Sequence, residues 1–430
     1  MSFIKTVLQA KLFKSTSKYF LFNIINKAIP FALLPILTAY LAPWEYGKLA
    51  MFNTLLGFFI PIIGMNMGMN IERNYYNISK EALSKKIFNM LILLAISFFI
   101  VESLTFTLFQ YFDLTFGLSL LLMMFLPALS VLQIVQKMVM VLYRVADRPS
   151  AYGIVQISTT IINVSISLLL IISFAMGWKG RIIGISAASF IIALILLFMM
   201  HKEGFLIYKV DKKEIKGLFK ISYPLIFHAL GGTLIFMSDR LFIEEFEGET
   251  VLGIYSVGFA FGQIVTLIQD ALAKAISPWM YKNLSLTDFK TKIKIVKTTY
   301  LYFIGMLAIA ILVTLAGYVL IELMISNSDY HEGKVYILFI ALSYAFNGMY
   351  KMVSPYFIVK GKTQILASST FFVAAINVIG NYYLVQSHGA LGAAYVSVGS
   401  LFIHFVVTWW LSHRFFPMPW FSFKNNKDLT

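Results

Sequence analysis

Cysteine is absent from all 430 residues, which excludes disulfide frameworks and thiolate metal sites. Charge is scarce as well: Asp, Glu, Lys and Arg together make up 13% of the chain, against about 25% in soluble domains. There is no Walker A loop, no His or Cys ligand cluster and no G-x-S-x-G elbow, so nucleotide hydrolysis and covalent catalysis lack their usual signatures. No enzymatic activity and no cofactor are expected. Long hydrophilic stretches are missing too. The longest, around residues 71–86, 201–218 and 281–297, read as connections and not as domains.

What fills the chain is apolar: 59% of its residues are hydrophobic, against about 45–50% in soluble proteins. Spans are expected at about 19–41, 46–70, 87–110, 117–142, 151–175, 182–200, 219–243, 250–276, 298–322, 335–358, 364–386 and 391–411. Each offers roughly the 20 apolar residues that a helix needs to cross a bilayer. The pattern predicts an all-α integral membrane protein with about 12 transmembrane helices. The first 18 residues carry Lys5, Lys11, Lys14 and Lys18 without a small-residue cleavage site, and read as a retained, partly amphipathic entry segment.

The net charge of +15 is unevenly placed. With the amino terminus inside, 26 of the 35 Lys and Arg lie in cytoplasmic segments or at their edges. The external side holds Lys48, Lys179, Arg181 and Lys334, while the acidic residues split eight and eight. Cytoplasmic loops of membrane proteins carry such a Lys/Arg excess, so both termini and the 201–218 loop are expected in the cytoplasm. The basic excess then serves topology and anionic lipid, not nucleic acid.

The chain also repeats itself. At a shift of 206 residues, Leu12-Phe13-Lys14 falls on Leu218-Phe219-Lys220, Gly47 on Gly253, Tyr75 on Tyr281 and Asn77 on Asn283. At a shift of 214, Lys137-Met138-Val139 falls on Lys351-Met352-Val353 and Ile162-Asn163-Val164 on Ile376-Asn377-Val378. Six spans per repeat is an even number, so the halves are parallel repeats, an N-terminal lobe over 1–205 and a C-terminal lobe over 206–430. Transporters of this build place substrate between lobes that rock in alternating access.

From Tyr223 the chain reads YPLIFHALGGTLIFMSDRLFIEEFEGETVLGIYSVGFAFGQIVTLIQDALAKAISPWMYKN. This stretch, with Glu45-Tyr46-Gly47 and Glu72-Arg73-Asn74-Tyr75-Tyr76, resembles the Wzx-type O-antigen and capsule repeat-unit flippases of the multidrug/oligosaccharidyl-lipid/polysaccharide exporter superfamily. The resemblance implies a twelve-helix, two-lobe protein of the bacterial inner membrane. It also implies that undecaprenyl-diphosphate-linked oligosaccharide is carried from the cytoplasmic to the outer leaflet, with membrane lipid and a polysaccharide polymerase as partners.

Ionisable residues inside spans cost roughly 2.5–3.5 kcal/mol each and tend to face a cavity or a partner. The cations Lys27, Lys137, Arg240 and Lys351 are candidates for a substrate-binding lumen, because desolvated phosphate needs cationic partners. Glu102, Asp239, Asp270 and Lys274 are candidates for coupling groups or structural ion pairs. Asp270 and Lys274, spaced i,i+4, are expected to pair, and Arg240 has Asp239 beside it. Lys137 and Lys351 occupy matching positions in the two repeats. His228 reads as an interior, hydrogen-bonded group. Gly64-Met-Asn-Met-Gly68 and Gly258-Phe-Ala-Phe-Gly262 permit close helix approach. Prolines at 30, 35, 61, 127, 224 and 355 mark kinks that are either fixed bends or hinges.

Two other functions compete. A cation-coupled multidrug exporter of the same superfamily suits acidic lumen residues better than this cationic set. A membrane polymerase or ligase needs a substantial external segment for its catalytic groups, and the longest external loop here is about 323–334.

Overall fold

In hydrocarbon a backbone satisfies its polar groups internally or not at all, and helix is what these apolar segments form. The computed structural model describes residues 2–112, 115–286 and 288–421, with the side chains of residues 2–17, Phe20, Lys27 and His228 outside that description. In chain order the helices are α1 (Ser2–Tyr40), α2 (Pro43–Gly64), α3 (Met67–Asn74), α4 (Lys80–Phe112), α5 (Leu120–Val145) and α6 (Pro149–Leu168). They continue as α7 (Gly177–Lys202), α8 (Lys212–Gly262), α9 (Val265–Leu284), α10 (Phe289–Met324), α11 (Lys334–Val353), α12 (Pro355–Val359) and α13 (Thr363–Phe415). A π-helical turn, Leu169–Ser173, extends α6, and a 3-10 turn, Ser328–Gly333, precedes α11.

Ten helical stretches among the described residues are long and apolar enough to cross a membrane. Two of them hold two crossings each. Gly248 (φ 83°) interrupts α8 and Gly389 (φ 59°) interrupts α13. Positive φ is open to glycine at little steric cost, so one residue turns the chain. The folding-back is direct: the Tyr255 hydroxyl reaches Asp239 within α8, and Asn377 Nδ2 donates to Ser400 Oγ within α13 at 2.9 Å. The chain is thus an all-α, multi-pass membrane protein with about twelve crossings.

The helix start at α2 explains Glu45-Tyr46-Gly47. Pro43 sits in the first turn, and Glu45 Oε2 accepts from the Ala42 amide at 3.1 Å, the reciprocal half of a capping box. Its other oxygen accepts from the Trp178 amide at 3.3 Å, which ties the start of α2 to the start of α7.

Packing divides the chain into two compact units, Met1–Leu230 and Gly231–Thr430. In the first, Ile87, Met90 and Leu94 of α4, Ile134, Met138 and Leu142 of α5, and Leu196 of α7 share one buried cluster. Residues beyond the expected 205/206 lobe boundary pack here as well. Leu218 joins that cluster, Asn70 donates to Ser222 Oγ at 2.9 Å, and buried Asn89 donates to Glu214 Oε2 at 2.9 Å and accepts from the Asp211 amide at 2.9 Å. The second unit has an apolar cluster of Ile235, Val373, Ala374 and Leu401. Beside it Ser238 donates to Asn377 Oδ1 at 2.7 Å and Asn381 Nδ2 to the same oxygen at 3.0 Å.

Candidate functional site

Pro61 lacks an amide hydrogen, and α2 stops three residues later at Gly64. Met65 and Asn66 both take left-handed conformations, φ 44° and 50°. Non-glycine residues held there cost of order 1–3 kcal/mol each, with Asn among the most tolerant. The helix restarts as α3, so the continuous span expected over 46–70 is in fact broken. Glycine holds the two pieces against α5: a Cβ on Gly64 would come within 3.1 Å of Ile134, and one on Gly68 within 3.1 Å of Val141.

The break leaves a cavity of about 420 Å³ within the first unit. Pro61, Asn66 and Met67 line it from α2 and α3, and Ile134, Lys137, Met138, Met140 and Arg144 line it from α5, with Tyr152 and Ala229. Methionine is the most adaptable apolar lining, because its unbranched thioether repacks at little cost.

Lys137 and Arg144 stand seven residues apart, two turns or about 10 Å along one face of α5. Their situations differ. Arg144 is ion-paired with Glu72, and both are about half exposed. Nearby, Arg148 binds Glu203 at 2.6 Å, and that hydrogen bond holds its guanidinium above its ordinary pKa. Lys137 has neither an ion pair nor a hydrogen bond among the described residues, and its side chain is open to the cavity. A cation in a span without a counterion is costly to keep. It suits a site that receives an anion.

A feature the sequence reading missed runs away from this cavity along α6. Tyr152, Gln156, Thr160, Asn163 and Ser167 repeat at helical spacing. Against α1, Tyr152 donates to Asn23 Oδ1 at 3.2 Å, Gln156 to the same oxygen at 3.4 Å, and Thr160 to Asn26 Oδ1. Further along, Arg181 of α7 donates to Asn163 and, at 2.8 Å, to Ser167. Gln156 Oε1 is left without a partner among the described residues. The signal was present as a polar i, i+4, i+8, i+11, i+15 stripe along α6.

In the second unit, Arg240 is the centre of a buried knot. Its Nη1 donates to Asp239 Oδ1 and to Phe236 O, both at 2.9 Å, and its guanidinium stacks 4.1 Å from the Phe259 ring centroid. The Tyr255 hydroxyl donates to the other Asp239 oxygen at 2.5 Å. Asp239 and Arg240 therefore hold the α8 hairpin closed. Asp270 corrects another expectation: it accepts from Lys351 Nζ at 2.8 Å, across from α11, while Lys274, one turn along α9, is exposed. Approach of α11 to α9 offers Asp270 a cation from outside its own helix. Lys351 is thus neutralised where its repeat partner Lys137 is not. Glu102 is half-buried, and its Oε2 is without a partner among the described residues. The side chains of Lys27 and His228 lie outside the described residues. His404, not singled out by the sequence, stacks on Tyr350 at 4.0 Å.

A family model described as polysaccharide biosynthesis protein matches residues 12–284, and one described as MatE matches residues 224–383. An uncharacterized membrane protein of Haemophilus influenzae is 25% identical over 296 residues, 65% of this chain and 68% of the relative. The Lsg locus protein 1 of the same organism is 26% identical over 288 residues, 64% and 67% of the two chains. Among solved structures, an inward-facing multidrug resistance MATE family transporter of the MOP superfamily has a TM-score of 0.75 at 12% identity, covering 90% of this chain and 94% of its own. The lipid II flippase MurJ in an inward closed conformation has a TM-score of 0.66 at 12% identity, covering 91% and 87%. At such identities the likeness is one of fold.

Proposed function

The chain belongs to the polysaccharide biosynthesis protein family, and from that premise we propose that it is a membrane flippase of the MOP superfamily whose cargo is undecaprenyl-diphosphate-linked oligosaccharide. It carries repeat units for O-antigen or capsule assembly from the cytoplasmic to the outer leaflet by alternating access. The observation that carries this reading is the unpaired Lys137 ammonium in the cavity of the first unit. A diphosphate leaving water loses strong hydration, and a charge-assisted hydrogen bond from an ammonium offsets part of that loss. Lys137 would take the phosphate oxygens. The prenyl tail stays in the bilayer, since moving tens of apolar carbons into a charged cavity would forfeit about 25 cal/mol per Å².

The competing reading, a cation-coupled multidrug exporter, draws on the MatE match and the MATE-like fold. The lining of the cavity opposes it: its charged residues are Lys137, which is unpaired among the described residues, and Arg144, which Glu72 answers, and neither is acidic. A cationic drug would meet repulsion there, where an anionic headgroup meets attraction. The test is purified protein in liposomes, offered a fluorescent undecaprenyl-diphosphate oligosaccharide or a cationic dye. Flipping of the glycolipid with no dye export is expected. Dye export without glycolipid flipping would overturn the assignment.

A further inference from the structure

Three lysines and an aromatic tail converge where α10 begins and where α12 and α13 end. After α13 the chain folds back onto the second unit, burying Phe416, Met418 and Trp420. The Tyr300 hydroxyl donates to Trp420 O at 2.8 Å, and Lys292 Nζ to Pro417 O at 3.3 Å. The Lys292 and Lys360 ammoniums both lie over the Phe416 ring, 5.6 and 5.0 Å from its centroid, and Lys362 lies 4.5 Å from that of Phe415.

An aromatic face attracts a cation without neutralising it. None of these three lysines has a carboxylate in its ion pairs among the described residues. The arginines at the end of α5 in the first unit are answered differently, Arg144 by Glu72 and Arg148 by Glu203. Here the positive charge is concentrated, held over aromatic rings and without a carboxylate partner among the described residues.

We propose that this cluster binds the phosphate of an anionic membrane phospholipid such as phosphatidylglycerol. It lies at the end of three helical elements where they leave the apolar spans. Trp409, Trp420 and Tyr300 pack edge to face around it, the aromatic composition typical of headgroup depth. About three turns further along α10 the surface becomes apolar, with Leu301 and Ile304 exposed by 71% and 66%, which suits acyl chains. Inter-helical basic pockets of this kind take anionic headgroups. The tail from Phe416 to Trp420 is the floor that holds the ammoniums together.

The test uses the purified full chain in non-ionic detergent, titrated with fluorescent phosphatidylglycerol, phosphatidylcholine and undecaprenyl diphosphate. A basic residue at a membrane surface contributes about a five-fold gain in affinity, so the K292Q/K360Q/K362Q variant should bind phosphatidylglycerol on the order of a hundred-fold more weakly. Phosphatidylcholine binding should be unchanged. Arginine at the same three positions should keep phosphatidylglycerol affinity within a few-fold, which reports on charge in a chain whose fold is undisturbed. Equal affinity for the two phospholipids would overturn the proposal. So would undiminished phosphatidylglycerol binding by the glutamine variant, or binding of undecaprenyl diphosphate with no phosphatidylglycerol binding.

Discussion

Replacing Lys137 with Gln should raise the stability of the protein and lower its transport at the same time. A lysine at the middle of a span costs about 2.5–3.5 kcal/mol on insertion scales. The cavity beside Lys137 admits water, so roughly half of that penalty is still in force, and glutamine of similar length relieves about 1–2 kcal/mol. A unit of this size gains about 2–4 °C per kcal/mol, so melting in detergent should rise by a few degrees. The anion, however, loses a hydrogen bond to a charged donor, about 1.5–3 kcal/mol. At about 1.4 kcal/mol per factor of ten, the half-saturating concentration of lipid-linked oligosaccharide should rise about 10- to 150-fold. The assay is flipping in liposomes across a range of glycolipid density, with melting followed on the same preparations. Lys137→Arg should retain most of the transport, since the charge survives although its geometry changes. Unchanged half-saturation in Lys137→Gln would refute the anion-receiving role. Loss of stability and transport together would refute the reasoning about an unpaired cation.

Lys351 should behave in the opposite way: Lys351→Gln is expected to lower stability, and a double-mutant cycle with Asp270→Asn should return a coupling of about 1 kcal/mol, as for a pair about one third exposed. Gly392→Ala should destabilise the protein by about 1–3 kcal/mol, because its Cβ would stand 2.0 Å from Leu384 O. Gly399→Ala, with nothing within 4 Å, should be neutral or gain up to about 1 kcal/mol from helix propensity; thermal unfolding of the two side by side checks this. Tyr208 is 64% exposed in the 201–218 connection, so Tyr208→Cys in this cysteine-free chain provides a clean topology probe. In intact cells it should resist an impermeant external maleimide, and labelling there would reverse the proposed orientation.

The long-range organisation was legible because it rests on composition: bilayer thickness imposes a length on every span, and ten helical stretches long and apolar enough to cross a membrane are present among the described residues. What composition does not encode is where a span is interrupted. Nothing in residues 46–70 other than Pro61 and the glycines signalled that Met65 and Asn66 would leave the helical region, because the break depends on how closely Gly64 and Gly68 let α2 and α3 approach α5. Pairing of charges was readable only along one helix. The i,i+4 rule pointed Asp270 at Lys274, but Lys351 arrives from α11, 81 residues away. Asp239 and Arg240, adjacent in sequence, do pair. The same locality explains how Lys137 and Lys351, at matching positions in the repeat, part company: among the described residues the first unit presents no acid to Lys137, and the second presents Asp270 to Lys351.

The one-residue turn at Gly248 bears on how the second unit is made. Glu244, Glu245, Glu247 and Glu249 crowd around it, and on the orientation that the basic loops favour, this acidic tip has to travel across the bilayer during synthesis. The membrane potential, positive outside, does work on each transferred negative charge of about 2.3 kcal/mol per 100 mV. Four carboxylates therefore draw on the order of 9 kcal/mol per 100 mV. The hairpin would then be pulled through by the electric field, tip first, with both its helices threaded in one step, and a cell that has lost its membrane potential should assemble this unit poorly.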